Sequence, residues 1–187
     1  SGSLGWSLST GANHTPGGRQ SWQYAPAGST YNTGASNAGT LVSPPITVPG
    51  TGVHYLRFWY QQQTEGSNPY WDQRWVQISA NGGPWSNVLQ LYDDPTGYWL
   101  RSPAISLQAY ANQTIRVRFY FATLDASENN FAGWFIDDFS VTGNVAPGVM
   151  VMSIGTSTCA TTIGPRPAPG RKEALVAGIC GQVDGSI

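Results

Sequence analysis

Charged side chains are scarce in this chain of 187 residues. Lys, Arg, Asp and Glu together make up 10% of it, against about 25% in typical soluble domains. Lys172 is the single lysine, and the formal net charge is −1. A nucleic-acid-binding face needs clustered basic residues, and no stretch of the sequence supplies them. We therefore expect a protein that does not bind nucleic acid.

Long apolar runs and catalytic motifs are missing as well. No apolar run approaches the ~20 residues needed to cross a bilayer. The two histidines, His14 and His54, are isolated, and neither an HExxH nor a GxSxG motif occurs. Asp137 and Asp138 could suggest glycoside hydrolysis, but adjacent residues on a strand tend to point to opposite faces. We expect a chain without a membrane span and without enzymatic activity.

Cysteine is rare, and both copies lie near the C-terminus. Cys159 and Cys180 fit no CxxC redox or zinc spacing. We expect them to form a disulfide that closes a short loop. Because disulfides persist mainly in oxidising compartments, this pair favours an extracellular or cell-surface location.

Aromatic residues and turn formers are abundant instead, with 8 Trp, 9 Tyr, 23 Gly and 13 Pro. Several segments show the two-residue period of strands, and Asn81-Gly82-Gly83 is typical of a hairpin turn. No helical period of useful length appears before residue 145. Short strands separated by turns predict an all-β fold, a two-sheet antiparallel jelly-roll sandwich. The residues expected to face its core include Leu56, Phe58, Tyr60, Val76, Ile78, Ile115, Val117, Phe119 and Phe121.

The composition changes after Gly143, which predicts a jelly-roll domain over 1–143 and a C-terminal extension over 144–187. The extension holds two apolar runs on either side of a Pro/Gly-rich stretch, and we expect both to be strands tied by the disulfide. The residues that we expect to be available for assembly are Val149, Met150, Val151, Met152, Leu175 and Val176.

Three interpretations of the extension stay open. Its strands could add to the sheet of another copy or of a surface protein, and a head-to-tail contact of this kind builds a filament. They could instead fold back on their own domain. The extension could also be a linker to further domains.

A series of motifs resembles a known family. The series begins with Gly5-Trp6, continues through Leu56-Arg57-Phe58-Trp59-Tyr60 and Val76-Gln77-Ile78-Ser79-Ala80-Asn81-Gly82-Gly83, and ends with Gly133-Trp134-Phe135-Ile136-Asp137-Asp138. In this order the motifs resemble the MAM-like jelly-roll domains of secreted bacterial peptidases and surface proteins, over about residues 4–143. The resemblance implies an extracellular, non-catalytic module that often holds a structural calcium. The chain departs from the family at Asn81, where an Asp is frequent.

Two adjacent carboxylates in a strongly apolar strand predict a cation site. Asp137 and Asp138 are the expected anchors, because a buried carboxylate needs a neutralising partner. Calcium takes six to eight oxygen ligands, and Glu65 and Asp72 are the expected partners. The alternative is that Asp137 pairs with an arginine or accepts from backbone N–H groups.

A sheet face opposite the core predicts a ligand site. Polar and aromatic side chains alternate there with core residues, a composition that suits a neutral polyhydroxyl ligand such as a glycan. Two alternatives remain: the arginines and aromatics form only cation–π pairs, or the C-terminal extension covers this face. The predicted face consists of Tyr55, Arg57, Trp59, Trp75, Arg116, Arg118 and Tyr120.

Taken together, these features predict a non-enzymatic extracellular module for cell-surface attachment or assembly through its C-terminal strands. One alternative is a structural subunit of an extracellular filament or surface layer. Another is a carbohydrate-binding or accessory domain of a secreted peptidase.

Overall fold

The computed structural model describes residues 4–66 and 68–143, together with the backbone of Leu175–Val176. Over these residues the chain consists of antiparallel strands, turns and one short 3-10 helix, Gln108–Tyr110. The strands in chain order are β1 Trp6–Ser9, β2 Ser21–Tyr24, β3 Ala38–Val42, β4 Ile46–Thr47, β5 His54–Gln63, β6 Gln73–Ala80, β7 Ser86–Leu91, β8 Leu100–Arg101, β9 Ile105–Ser106, β10 Thr114–Ala122, β11 Gly133–Gly143 and β12 Leu175–Val176.

These strands form two sheets. The seven-stranded sheet has the order β1-β2-β11-β5-β8, with β9 also on β5 and β12 also on β11. The five-stranded sheet has the order β3-β10-β6-β7, with β4 also on β10. The predicted class, an all-β two-sheet antiparallel sandwich, is confirmed.

The core lies between the two sheets, because each long strand turns alternate side chains inward. Phe58 of β5 packs edge to face on Phe119 of β10, with ring centroids 4.8 Å apart. Phe119 packs in the same way on Trp134 of β11, with ring centroids 5.7 Å apart. Burial of each large apolar side chain contributes about 1.5–3 kcal/mol. All nine residues predicted to face the core are at most 3% exposed, which confirms the two-residue period.

Local turn chemistry also follows the sequence. Asn81 and Gly82 both have positive φ, 51° and 74°, and join β6 to β7 as the hairpin that was predicted. Pro44-Pro45 separates β3 from β4, and both of these strands pair with the same strand, β10. The proline pair therefore interrupts the edge of the sheet, where proline is tolerated.

The two adjacent carboxylates lie at a bulge in β11. The register with β5 shifts between Asp137 and Ser140, and Asp138 has a φ of 46° in the left-handed region. A bulge inserts an extra residue and turns the following side chains. Both carboxylates therefore reach the same loop, and the expectation that they point to opposite faces is wrong.

The C-terminal extension is described only at β12. Val176 pairs with Ser140 and Leu175 with Val141 of the same chain. Val149, Met150, Val151 and Met152 lie outside the described residues, as do Cys159 and Cys180. Among the residues described, no helix is long and apolar enough to cross a membrane.

Candidate functional site

Asp137 is saturated with hydrogen bonds from the loop between β1 and β2. Its Oδ2 accepts from the backbone N–H of His14 at 2.9 Å and of Thr15 at 3.3 Å. Its Oδ1 accepts from the N–H of Asp138 at 2.8 Å and lies 3.2 Å from the Thr15 hydroxyl oxygen. Donors on both oxygens leave little room for a cation. Asp137 therefore accepts hydrogen bonds from backbone N–H groups, as the alternative to a cation site predicts.

Asp138 holds the same loop through side chains. Its Oδ2 lies 2.6 Å from His14 Nδ1, and its Oδ1 accepts from the Thr15 hydroxyl at 2.5 Å. The His14 ring stacks on Trp59 with centroids 3.8 Å apart and planes 16° from parallel. One ring face of Trp59 is thus covered by the protein itself.

A shallow depression adjoins this pair on the outer side of the seven-stranded sheet. Two arginines and the Asp138 carboxylate give it mixed charge, and Arg57 Nη1 already donates to the Ser102 carbonyl at 3.3 Å. The residues that line it are Arg57, Phe58, Trp59, Arg101, Asp138, Ser140 and Thr142.

The predicted ligand face is divided between the two sheets. Arg57 and Trp59 belong to β5, in the seven-stranded sheet, whereas Trp75 belongs to β6 in the five-stranded sheet. Alternation places all of these side chains outward but does not say which strands pair. The prediction of one face is therefore wrong for β5. The four residues of β6 and β10 do share one sheet face, and that this face binds a ligand stays a prediction; they are Trp75, Arg116, Arg118 and Tyr120.

The outer side of the five-stranded sheet carries half-buried aromatic, amide and guanidinium groups. We call this the outer aromatic face, and it consists of Trp75, Gln77, Trp85, Gln90, Arg118 and Tyr120. Tyr120, Trp75 and Gln90 lie opposite one another across β10, β6 and β7.

Arg118 organises the centre of this face. Its guanidinium carbon lies 4.3 Å from the Trp85 ring centroid and 5.9 Å from that of Tyr120. Its Nε donates to Gln77 Oε1 at 2.6 Å, and Gln77 Nε2 donates to Asn87 Oδ1 at 2.6 Å. Cation–π pairs between arginines and aromatic rings are the alternative to a ligand site that the sequence leaves open, and Arg118 forms two such pairs here. They hold Arg118 and both rings in fixed positions.

A loop at residues 68–72 adds exposed aromatic surface at one end of the outer aromatic face. Tyr70 is 71% exposed and Trp71 is 43% exposed. The preceding carbonyl, of Pro69, accepts from Gln90 Nε2 at 2.8 Å and from Gln73 Nε2 at 3.4 Å. Asn68 Oδ1 accepts from the N–H of Tyr70 and of Trp71. This loop, which we call the Tyr70 loop, is therefore tied to the sheet.

Sequence reasoning missed Trp85 and the Tyr70 loop. The available signal was Asn68-Pro69, a turn former, followed directly by Tyr70-Trp71. Tyr70 and Trp71 lie in a polar turn and do not belong to the alternating apolar pattern of a strand. The sequence therefore gives no reason to expect them in the core.

The four acids expected to share a metal form two separate pairs. Asp72 Oδ2 accepts from the backbone N–H of Glu65 at 2.6 Å, whereas Asp137 and Asp138 bind the loop at His14. In the described part of the chain, no three His, Cys, Asp or Glu side chains come together as a group that could hold a metal ion. The expectation that Asp137 and Asp138 anchor a cation with Glu65 and Asp72 is therefore wrong.

The histidines have structural contacts. His54 is 5% exposed, and its Nε2 lies 2.9 Å from the Thr51 carbonyl. His14 pairs with Asp138 as described above. Over residues 4–66 and 68–143, neither imidazole forms a hydrogen bond with a serine or cysteine side chain.

Comparison with known proteins gives little. No protein-family model matches the chain, and no curated protein matches it. Among solved structures, the chain is similar to the carbohydrate-binding module TmCBM61, solved in complex with β-1,4-galactotriose. The TM-score is 0.41 at 17% sequence identity, over 68% of this chain and 72% of that chain. Nothing about the ligand of this chain follows from so low a similarity, and the MAM-like resemblance stays a prediction.

Proposed function

We propose that this chain is an extracellular, non-catalytic module that binds carbohydrate on its outer aromatic face. One observation carries the proposal. The Pro69 carbonyl is held by Gln73 and Gln90, so exposed Tyr70 and Trp71 stand at the end of a sheet face that already presents Trp75.

The chemistry of this surface suits a sugar chain. Tyr and Trp rings are large, rigid and apolar with a polar tip, and they match the C–H faces of a pyranose ring. Gln77, Gln90 and Arg118 carry planar amide and guanidinium groups, and their remaining donors and acceptors can bind hydroxyl groups. The hydrogen bonds from Arg118 to Gln77 and from Gln77 to Asn87 fix these groups before a ligand arrives, which reduces the entropy lost on binding.

Other ligand classes fit this surface less well. A protein partner is favoured by an apolar centre with a polar rim, but amide side chains occupy the middle of this face. A nucleic acid needs several phosphate contacts, and Arg116 and Arg118 are the only cations of β10 and β6 that face outward here, since Arg74 is buried in the core.

Attachment or assembly through the C-terminal strands remains a separate prediction. It depends on residues 144–187, of which only Leu175–Val176 belong to the described part.

A glycan array screened with the labelled full chain, followed by titration of the best ligand, tests the proposal. We expect Trp71→Ala and Trp75→Ala to weaken binding tenfold or more, because truncating a central aromatic contact typically costs over about 1.4 kcal/mol. Tyr55→Ala is the matched control. Tyr55 is 39% exposed, close to the 43% of Trp71, but it lies on the other sheet, so its removal should leave affinity unchanged.

Two results would contradict the proposal. One is a chain that binds no glycan on the array. The other is a loss of affinity in Tyr55→Ala as large as that in Trp71→Ala.

A further inference from the structure

Two arginines face one shallow depression on the outer side of the seven-stranded sheet. Arg57 and Arg101 line it together with Asp138 and Ser140, and its volume is about 190 Å³; we call it the arginine depression. Arg57 and Trp59 alternate along β5 on the same side, and Arg101 lies directly opposite Trp59 on β8. Arg57 and Arg101 are therefore diagonal neighbours, which lie about 7–8 Å apart. Both guanidinium groups can reach one small ligand.

Neither arginine has a carboxylate partner among the residues that the structure describes. In that part of the chain the ion pairs are those of His14 with Asp138 and of Arg74 with Asp94. Asp138 lines the arginine depression, but its oxygens are engaged with His14 Nδ1 and the Thr15 hydroxyl. Two arginines and one aspartate leave the lining with one excess positive charge. A single monovalent anion balances that charge.

Arg57 is held in position before a ligand arrives. Its Nη1 donates to the Ser102 carbonyl at 3.3 Å. Ser102 is itself buried, and its hydroxyl donates to the Pro103 carbonyl and accepts from the N–H of Phe58. A guanidinium has five N–H donors, so Arg57 keeps donors for a ligand. Fixing the group beforehand reduces the entropy lost on binding.

The chemistry of the lining suits a carboxylate. An arginine fork binds a carboxylate through two parallel N–H···O bonds. Ser140 lies opposite Arg57 on β11, and Thr142 lies two residues further on the same side, so hydroxyl groups stand beside the guanidinium groups. The negative charge of Asp138 disfavours a phosphate dianion more than a carboxylate with a single charge.

We propose that the arginine depression binds one carboxylate group of a peptide ligand through the guanidinium groups of Arg57 and Arg101. Its volume of about 190 Å³ is smaller than the about 300–1,000 Å³ of pockets that enclose a whole small molecule. One side chain or one chain end fits, and the rest of the ligand stays outside. A sugar is less suited, because His14 already stacks on one face of the Trp59 ring.

This site is independent of carbohydrate binding on the outer aromatic face. The outer aromatic face belongs to the five-stranded sheet, whereas the arginine depression belongs to the seven-stranded sheet. Either site can fail in experiment while the other one binds its ligand.

Titration of the full chain, followed by nuclear magnetic resonance, tests the site with three probes. N-acetyl-glutamate N-methylamide carries a side-chain carboxylate, N-acetyl-glycine carries a terminal carboxylate, and N-acetyl-glutamine N-methylamide carries none. We expect the amide signals of Ser140 and Thr142 and the indole signal of Trp59 to shift with a carboxylate probe and to stay in place with the neutral one. The carboxylate that binds more tightly identifies the source, a side chain or a chain end.

Arg57→Gln and Arg101→Gln should each weaken binding of the tighter probe about tenfold, because each removes a hydrogen bond to a charged group. Arg116→Gln is the matched control. Arg116 is exposed, as Arg101 is, but it lies on β10 of the other sheet, so its removal should leave the affinity unchanged. Asp138→Asn should tighten binding, because it removes negative charge from the lining.

Three results would overturn the proposal. One is a wild-type chain whose signals respond to neither carboxylate. Another is an equal loss of affinity in Arg116→Gln and Arg101→Gln. The third is tighter binding of galacturonate than of both carboxylate probes, which would assign the depression to an acidic sugar. The amide spectrum establishes that each variant is folded, and Arg101→Gln, which alters only an exposed side chain, keeps the test decisive if Arg57→Gln unfolds.

Discussion

Arg74 is a buried cation whose charge is balanced by Asp94, a residue of the turn that follows β7. It is 2% exposed on the inward side of β6, in phase with Val76 and Ile78. Its Nη2 donates to Asp94 Oδ2 at 3.3 Å, and the Tyr60 hydroxyl donates to Asp94 Oδ1 at 2.9 Å. Asp94 is therefore the partner that makes a buried guanidinium tolerable. The pair of Asp93 and Asp94 before a proline predicts only a turn.

Removing the charge of Asp94 should destabilise the fold. We expect Asp94→Asn to lower the free energy of unfolding by about 2 kcal/mol, because it leaves the buried Arg74 charge uncompensated. Asp93→Asn is the matched control. Asp93 is exposed with a φ of 56°, which Asn adopts readily, so its effect should stay within about 0.5 kcal/mol. Urea unfolding of the three proteins measures both values, and equal effects would contradict this role of Asp94.

The bulge of β11 is the element that joins the β1–β2 loop to the seven-stranded sheet. Asp137 accepts two backbone N–H groups of that loop, at His14 and Thr15. Asp138 reaches the same loop because its left-handed conformation turns it to the same side. The carboxylates thus act as an internal clamp on a loop that has little apolar surface of its own.

The two carboxylates of the clamp should differ in their contribution to stability. Asp137→Ala leaves the backbone N–H groups of His14, Thr15 and Asp138 without an acceptor, and we expect it to cost about 3 kcal/mol. Asp138→Ala removes a contact whose partners are 24% and 30% exposed, and we expect it to cost about 1 kcal/mol. Chemical denaturation of both variants measures the difference. A larger loss in Asp138→Ala would show that the clamp depends on His14 and not on the backbone.

Elements that depend on near neighbours were predictable, and pairings across the chain were not. Two features depend only on residues close together in sequence, and both are confirmed. They are the two-residue period of Leu56, Phe58 and Tyr60 and the turn at Asn81-Gly82. Alternation places both Trp59 and Trp75 outward, and this pattern predicts that they share one face. They lie in different sheets, because β5 pairs with β11 and β6 pairs with β10. No local sequence pattern predicts which strands pair.

At the scale of the whole molecule, different regions carry different chemistry. The core is mainly apolar, with a few buried polar groups such as Arg74. On the outer side of the seven-stranded sheet, the His14 ring covers one face of Trp59. The outer aromatic face and the Tyr70 loop form the surface with exposed rings and fixed amides. The low charge of the chain, 10% of residues, was evident from composition. The position of each surface required the fold.

The most direct test of the central claim is nuclear magnetic resonance of the tryptophan indole N–H signals during titration with the tightest-binding glycan of the array. The chain has eight tryptophans, and each indole gives its own signal. We predict that the signals of Trp71, Trp75 and Trp85 shift, whereas those of Trp59 on the other sheet and of Trp6 and Trp134 in the core stay in place. Shifts at Trp59 with none at Trp75 would contradict carbohydrate binding on the outer aromatic face.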